Sequence, residues 1–218
     1  MKIGILSDTH GLLRPEVLEA LDGCKAILHG GDINRQEIID ELEKIAPVYV
    51  VRGNNDKDWV EHIPRLLDVE LEGCRVFMTH KKKDLPEDLS NYDLVIFGHS
   101  HKYEEGRIGK TIMLNPGSCG PRRFHQAITM ATAEVTVGSI AITRIDIPQK
   151  PAHSLSKAGS TDLRKQIEIV IKETDKSKTP AEIAYRYGLD TEVTEQIARL
   201  YLTHPGVTAE GIMTKMGY

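Results

Sequence analysis

Lys2-Ile3-Gly4-Ile5-Leu6-Ser7-Asp8-Thr9-His10-Gly11 is the stretch on which the fold turns. An apolar run this short and this rich in Ile and Leu is the pattern of a buried strand. Asp8 and His10 fall just past its C-terminal end, where open α/β sheets place their binding crevices. A carboxylate and an imidazole two positions apart on an extended segment point the same way and can share one divalent ion. Taken alone the triplet is weak, since a capping aspartate and a surface histidine look the same. Its weight comes from recurrence further along the chain.

The pattern repeats. Arg14 to Leu21 carries Val17, Leu18 and Leu21 at helical spacing with Pro15 near its start. Ala26-Ile27-Leu28-His29 is a second strand and ends in Gly30-Gly31-Asp32. A helix from Arg35 to Ile45 follows, and Val48-Tyr49-Val50-Val51 then runs into Gly53-Asn54-Asn55-Asp56. Strands alternating with helices predict a parallel, right-handed βαβαβ start.

Beyond this point the grammar changes. Leu67 to Leu71 and Arg75 to His80 flank Glu72-Gly73 as a hairpin. Leu94-Val95-Ile96-Phe97 is fully apolar and ends in Gly98-His99-Ser100-His101, and Thr111 to Leu114 leads into Asn115-Pro116-Gly117-Ser118. Glu134 to Val137 and Ile140 to Thr143 flank Gly138-Ser139, a turn suited to type II′ geometry. The expected fold is α/β, a four-layer α/β/β/α sandwich, with a parallel first half and an antiparallel second half sending strand ends to one rim. It spans residues 1–148. A Pro/Ser/Lys/Ala/Gly-rich linker covers 149–160, and a small all-α module, helix-turn-helix-like in its apolar pattern, covers 161–218.

Composition narrows the function. A chain of 218 residues with 40% apolar and 28% charged residues is an ordinary soluble composition, and a net charge of −4 gives no reason to expect nucleic acid or an acidic membrane as partner. Cys24, Cys74 and Cys119 are an odd number without CxxC spacing, so neither a disulfide framework nor a cysteine zinc site follows, and reducing cytoplasm is the expected compartment. The N-terminal apolar run reaches Asp8 too soon for a signal sequence. No apolar stretch approaches the ~18 residues needed to span a bilayer.

The strand-end residues form a set: Asp8, His10, Asp32, Asn54, His80, His99 and His101. All offer oxygen or imidazole nitrogen and none is a thiol, which suits Mn²⁺, Fe²⁺, Ni²⁺, Zn²⁺ or Mg²⁺. Seven ligands exceed one tetrahedral ion but fit two ions sharing a carboxylate, the machinery of phosphoester hydrolysis. Each residue has a bland alternative. Asp32 could cap a helix, Asn54 could hold a left-handed turn, and His80 could be a satisfied strand-end histidine. Taken together, those alternatives require separate coincidences at five successive strand ends.

The ordered set D-x-H, G-D, G-N, H, G-H-x-H resembles the calcineurin-like metallophosphoesterase superfamily, and within it the small YfcE-type phosphodiesterases, over Met1 to about Pro148. The resemblance implies that Asp8, His10, Asp32 and His101 hold one ion and that Asp32, Asn54, His80 and His99 hold the other. Asp32 would bridge, with Mn²⁺ the first expectation for the metal. It implies a small phosphoester as substrate, phosphodiester ahead of monoester, attacked in line by a hydroxide between the ions, with Asp32, Asn54 and His99 carrying the catalysis. Asn115-Pro116-Gly117-Ser118 would shape the rim near Arg122.

Two departures stand out. Asn55 occupies the place where many members have a histidine acid, so aryl leaving groups should be cleaved far better than alkyl ones. Lys81-Lys82-Lys83 follow His80 where relatives usually continue Gly-His; they are expected to form a solvated loop, the alternative being that one ammonium reaches a substrate phosphate. His29, His62, His125, His153 and His204 are expected to be structural or surface groups. Residues 151–218 carry nine Lys or Arg against nine Asp or Glu. That balance suits a packing, regulatory or homo-oligomerisation module better than a DNA reader. The rival function is a non-catalytic scaffold or regulatory protein on the same fold, as in the eukaryotic retromer subunit, against which the completeness of the seven positions argues.

Overall fold

The opening apolar run forms β1 (Lys2–Leu6), buried along nearly its whole length, in a computed structural model that describes residues 1–57, 60–121, 126–148 and 160–216. Residues 149–159 of the linker expected at 149–160, and Arg122, His125 and His153, lie outside the described residues. The chain divides into two compact units, 1–148 and 149–218.

In the first unit, α1 (Pro15–Ala20), β2 (Ala26–His29), α2 (Gln36–Glu43) and β3 (Val48–Val50) follow β1. Pro15 stands in the first turn of α1, where its missing N–H costs nothing. β1, β2 and β3 are parallel, and β9 (Thr129–Thr136) and β10 (Ser139–Asp146) extend the sheet antiparallel beside β1, in the order β10-β9-β1-β2-β3. The second sheet contains β4 (Leu66–Leu71), β5 (Cys74–Thr79), β6 (Leu94–Ile96), β7 (Tyr103–Ile108) and β8 (Thr111–Pro116), in the order β4-β5-β6-β8-β7.

Between the sheets lies one apolar layer in which Ile3, Ile5 and Leu28 meet Val76, Met78, Leu94, Ile96 and Leu114. Leu6, Ile27 and Met130 pack on the other side against Val17, Leu21, Ile38, Ile39 and Leu42 of the helices. The outer face of the second sheet is closed by Phe77, Leu89, Val95, Phe97 and Met113, next to a single 3₁₀ turn at Lys82–Asp84. Burying side chains such as these stabilises by roughly 1.5–3 kcal/mol each relative to exposure.

Three expectations are corrected. The second half is not purely antiparallel: β5, β6 and β8 run parallel, which is why Leu94-Val95-Ile96 is apolar on both faces. β7 was not anticipated, because an exposed edge strand of sequence Tyr-Glu-Glu-Gly-Arg-Ile has no apolar face to give it away. The turn between β9 and β10 is made by Val137-Gly138, with Ser139 already paired to Thr136. Gly138, at φ +73, fills the second turn position, so the geometry is not type II′.

The second unit is helical: α3 (Ser160–Thr174), α4 (Pro180–Tyr187), α5 (Thr191–Thr203) and α6 (Ala209–Lys215). Leu163, Ile167, Val170, Ile183, Ile197 and Ile212 are prominent in its core. Thr179 and Glu182 form a reciprocal capping box at α4, and Gly188 closes that helix in the left-handed conformation. Among the described residues no helix is long and apolar enough to cross a membrane.

Candidate metal centre

The C-terminal ends of β1, β2, β5 and β6 deliver Asp8, Asp32, His80 and the His99/His101 pair to one rim. Asp8, His10 and His101 form one group whose potential ligand atoms all lie within 4.8 Å of one another; Asp8, Asp32 and His80 form a second. His10 Nε2 lies 3.7 Å from Asp8 Oδ1, 3.8 Å from Asp32 Oδ2 and 3.1 Å from His101 Nε2. His80 Nε2 lies 3.4 Å from the same Asp32 Oδ2. That oxygen therefore faces histidines of both groups, as a bridging carboxylate must.

The expected extended geometry is not how Asp8 and His10 converge. Asp8 (φ 54), His10 (φ 44), Asp32 (φ 55), His99 (φ 72) and His101 (φ 58) all have left-handed backbone, as do only three other non-glycine residues among those described. Such a conformation costs roughly 1–2 kcal/mol per residue and clusters where function requires it. The backbone also approaches closely: a Cβ on Gly53 would lie 2.1 Å from Asp32 Oδ1, and one on Gly98 2.1 Å from Ser7 Oγ.

Hydrogen bonding leaves selected atoms exposed to a ligand. Ser7 Oγ (2.6 Å) and the His99 backbone N–H (3.1 Å) donate to Asp8 Oδ2. Asp8 Oδ1, fully buried, has no hydrogen-bond partner, although His101 Nε2 stands 3.1 Å from it. His80 Nδ1 donates to the Gly30 carbonyl at 2.8 Å, which turns the Nε2 lone pair toward Asp32; Nε2 is likewise buried and unbonded. An orphaned carboxylate oxygen and an orphaned imidazole nitrogen within one donor set fit a divalent cation. The large majority of buried polar atoms are paired.

Electrostatics agree. Burial would raise Asp8, but His101, His80 and Ser7 hold its carboxyl below the usual range. Burial also opposes ionisation of Asp32, yet the His80 imidazole and the Asn55 N–H keep its carboxyl well below the usual carboxylate range. His80 is raised: burial lowers it, and the two carboxylates more than compensate. His99 is lowered, by burial first and then by His80 and Lys81.

Two of the seven expected residues are exposed. Asn54 lies on the loop after Gly53. His99 lies outside both groups of histidines and carboxylates, its ring 5.2 Å from that of His80. Of the lysines, Lys82 pairs with Glu104 and lies over the Phe97 ring, while Lys81 is half-buried with its charge felt by His99. Asn115 Nδ2 donates to the Gly98 carbonyl (2.8 Å) and Ser100 Oγ (3.0 Å), tying the end of β8 to the His99–His101 loop.

Sequence reading missed three supports. Ser7 fixes one Asp8 oxygen. Asp56 accepts from the N–H groups of Ile33, Asn34 and Gly53, lacing together the loops after β2 and β3. Asn55 reaches Asp32 with both its backbone N–H and its carboxamide. The only available signal was adjacency to Asp8 and to Gly53-Asn54.

His29 is a buried structural histidine, as expected. Gly31 N–H donates to its Nδ1 (3.1 Å), so its Nε2–H faces Thr9 Oγ1 (3.0 Å). Burial lowers it to about 4 from the model-peptide 6.5. The folded chain therefore keeps His29 neutral where the unfolded chain is protonated. Its contribution is complete above pH 6.5 and falls away as pH drops toward 4, by about 3 kcal/mol in all. Denaturant unfolding of the wild type and His29→Gln at pH 7 and pH 4.5 checks this. The wild type should lose more stability than the variant over that interval.

The calcineurin-like phosphoesterase superfamily domain matches residues 1–138. This chain belongs to that superfamily. A probable metallophosphoesterase of Methanothermobacter thermautotrophicus is 35% identical over 132 residues, covering 54% of this chain and 77% of the relative. Phosphodiesterase YfcE of Escherichia coli is 30% identical over 145 residues, covering 54% and 79%. The crystal structure of Entamoeba histolytica Vps29 complexed with Zn²⁺ superposes with a TM-score of 0.53 at 22% identity, covering 68% of this chain and all of that one. This last likeness is one of fold.

Proposed function

We propose that residues 1–148 form a dinuclear metal-dependent phosphoesterase that hydrolyses small phosphodiesters in preference to monoesters. The observation that carries the reading is the pair of orphaned buried atoms, Asp8 Oδ1 and His80 Nε2, inside two donor groups that face one Asp32 oxygen. Asp8, His10, Asp32 and His101 would hold one ion; Asp32, His80, Asn54 and His99 would hold the other, the last two turning inward from their exposed positions. Mn²⁺ is the first choice on the family resemblance, and the oxygen and imidazole donors also suit Fe²⁺, Ni²⁺, Zn²⁺ or Mg²⁺. Two divalent ions, when bound, supply Lewis acidity at the phosphoryl oxygens and ready ionisation of the attacking water.

The protein's own share is orientation. Ser7 and the His99 N–H fix the Asp8 carboxylate, Gly30 fixes the His80 tautomer, and Lys81 adds positive charge beside His99 for an anionic substrate. Asn55 cannot donate a proton to the departing oxygen. The relative named as a phosphodiesterase supports the diester reading, and the one named as a probable metallophosphoesterase supports the phosphoesterase reading alone. The helical unit enters as a packing, regulatory or homo-oligomerisation module, on the balanced charge counted above.

A non-catalytic scaffold on the same fold is the alternative. Metal binding does not separate the two readings, since that Vps29 is itself a zinc complex. Turnover does. Mn²⁺-loaded protein should hydrolyse bis-p-nitrophenyl phosphate faster than mono-p-nitrophenyl phosphate, and metal binding without turnover of either supports the scaffold.

A further inference from the structure

We propose that Asn55 is a positioning residue that clamps the Asp32 carboxylate with one oxygen held between the two donor groups. The inference rests on the dinuclear reading above. Asn55 N–H donates to Asp32 Oδ1 at 2.8 Å, and Asn55 Nδ2 donates to Asp32 Oδ2, also at 2.8 Å. The two bonds address both oxygens from one residue, so the carboxylate cannot rotate about its Cβ–Cγ bond without breaking them.

The oxygen held by the side chain is the one that faces His80 Nε2 at 3.4 Å and His10 Nε2 at 3.8 Å. The clamp is itself anchored. Asp56, the next residue, binds Gly53 N–H on its own loop and Ile33 and Asn34 N–H on the loop that carries Asp32. An amide suits this task chemically. It donates a hydrogen bond without a charge, whereas an ammonium would compete with a cation and a carboxylate would repel Asp32. The position that lacks an acid is thus occupied by a group that sets the geometry of the bridge.

Mn²⁺ binding to the whole protein, followed by electron paramagnetic resonance and calorimetry, tests the clamp without reference to turnover. Asn55→Ala should weaken binding of one of the two ions by about tenfold to a hundredfold, the usual effect of losing a group that orients a ligand. Spin coupling between the two ions should weaken with it. Asn55→His places a ring N–H where Nδ2 stood and should restore both signals, which a purely structural loop role does not predict. Wild-type affinity and coupling in a folded Asn55→Ala protein overturn the clamp.

If the wild type binds fewer than two ions, the dinuclear reading fails, and the clamp is read from the metal-free protein. There the Asn55 side-chain amide resonances should move on Asp32→Ala. Resonances left in place overturn the clamp by themselves.

Discussion

Asp32→Asn is expected to abolish turnover of bis-p-nitrophenyl phosphate by the Mn²⁺-loaded protein, with a loss of about 10³-fold or more. A Lewis-acid centre supplies several kcal/mol of charge stabilisation, and each 1.36 kcal/mol is tenfold in rate. The substitution removes the negative charge from an oxygen that faces histidines of both donor groups, at 3.4 and 3.8 Å. It leaves the backbone alone. Asparagine tolerates the left-handed conformation that Asp32 adopts at φ 55, and its carbonyl oxygen can still accept the Asn55 N–H. Circular dichroism should therefore be unchanged while bound metal and activity fall together. Turnover that survives in this variant would place the chemistry elsewhere.

The second large effect concerns the leaving group. In-line displacement expels an oxygen that becomes an anion unless a proton reaches it. Asn55 stands where an acid would serve, and its carboxamide is committed to Asp32. General acid catalysis is worth about 10²–10⁴-fold, so its lack falls hardest on poor leaving groups. Across a series of methyl aryl and methyl alkyl phosphodiesters, the logarithm of the rate should fall steeply with leaving-group pKa. A flat dependence would mean that another residue donates the proton, and the reading of Asn55 would then be wrong.

Much of this was legible in the sequence, for a definite reason. Ile3, Ile5, Leu28, Val95 and Ile96 are buried because their strands are covered on both faces, and a strand so covered must be apolar throughout. Each such run therefore ends visibly, and Asp8, Asp32, His80 and His101 mark those ends. Less visible was anything decided by a partner far away in the chain. The bond from Asn55 to Asp32 and those from Asp56 to Ile33 and Asn34 span more than twenty positions and have no periodicity. β7 escaped notice because charged edge strands carry no apolar alternation. Nor does composition announce that five candidate ligands adopt left-handed backbone, since aspartate and histidine are ordinary residues elsewhere.

That backbone has an evolutionary corollary. Asp8, His10, Asp32, His99 and His101 sit in a conformation that glycine would accept with less strain. Mutational drift toward a sturdier protein would thus find its easiest gains on the rim itself, erasing donors one by one while the layers beneath stayed intact. Robustness and reactivity compete here for the same five positions.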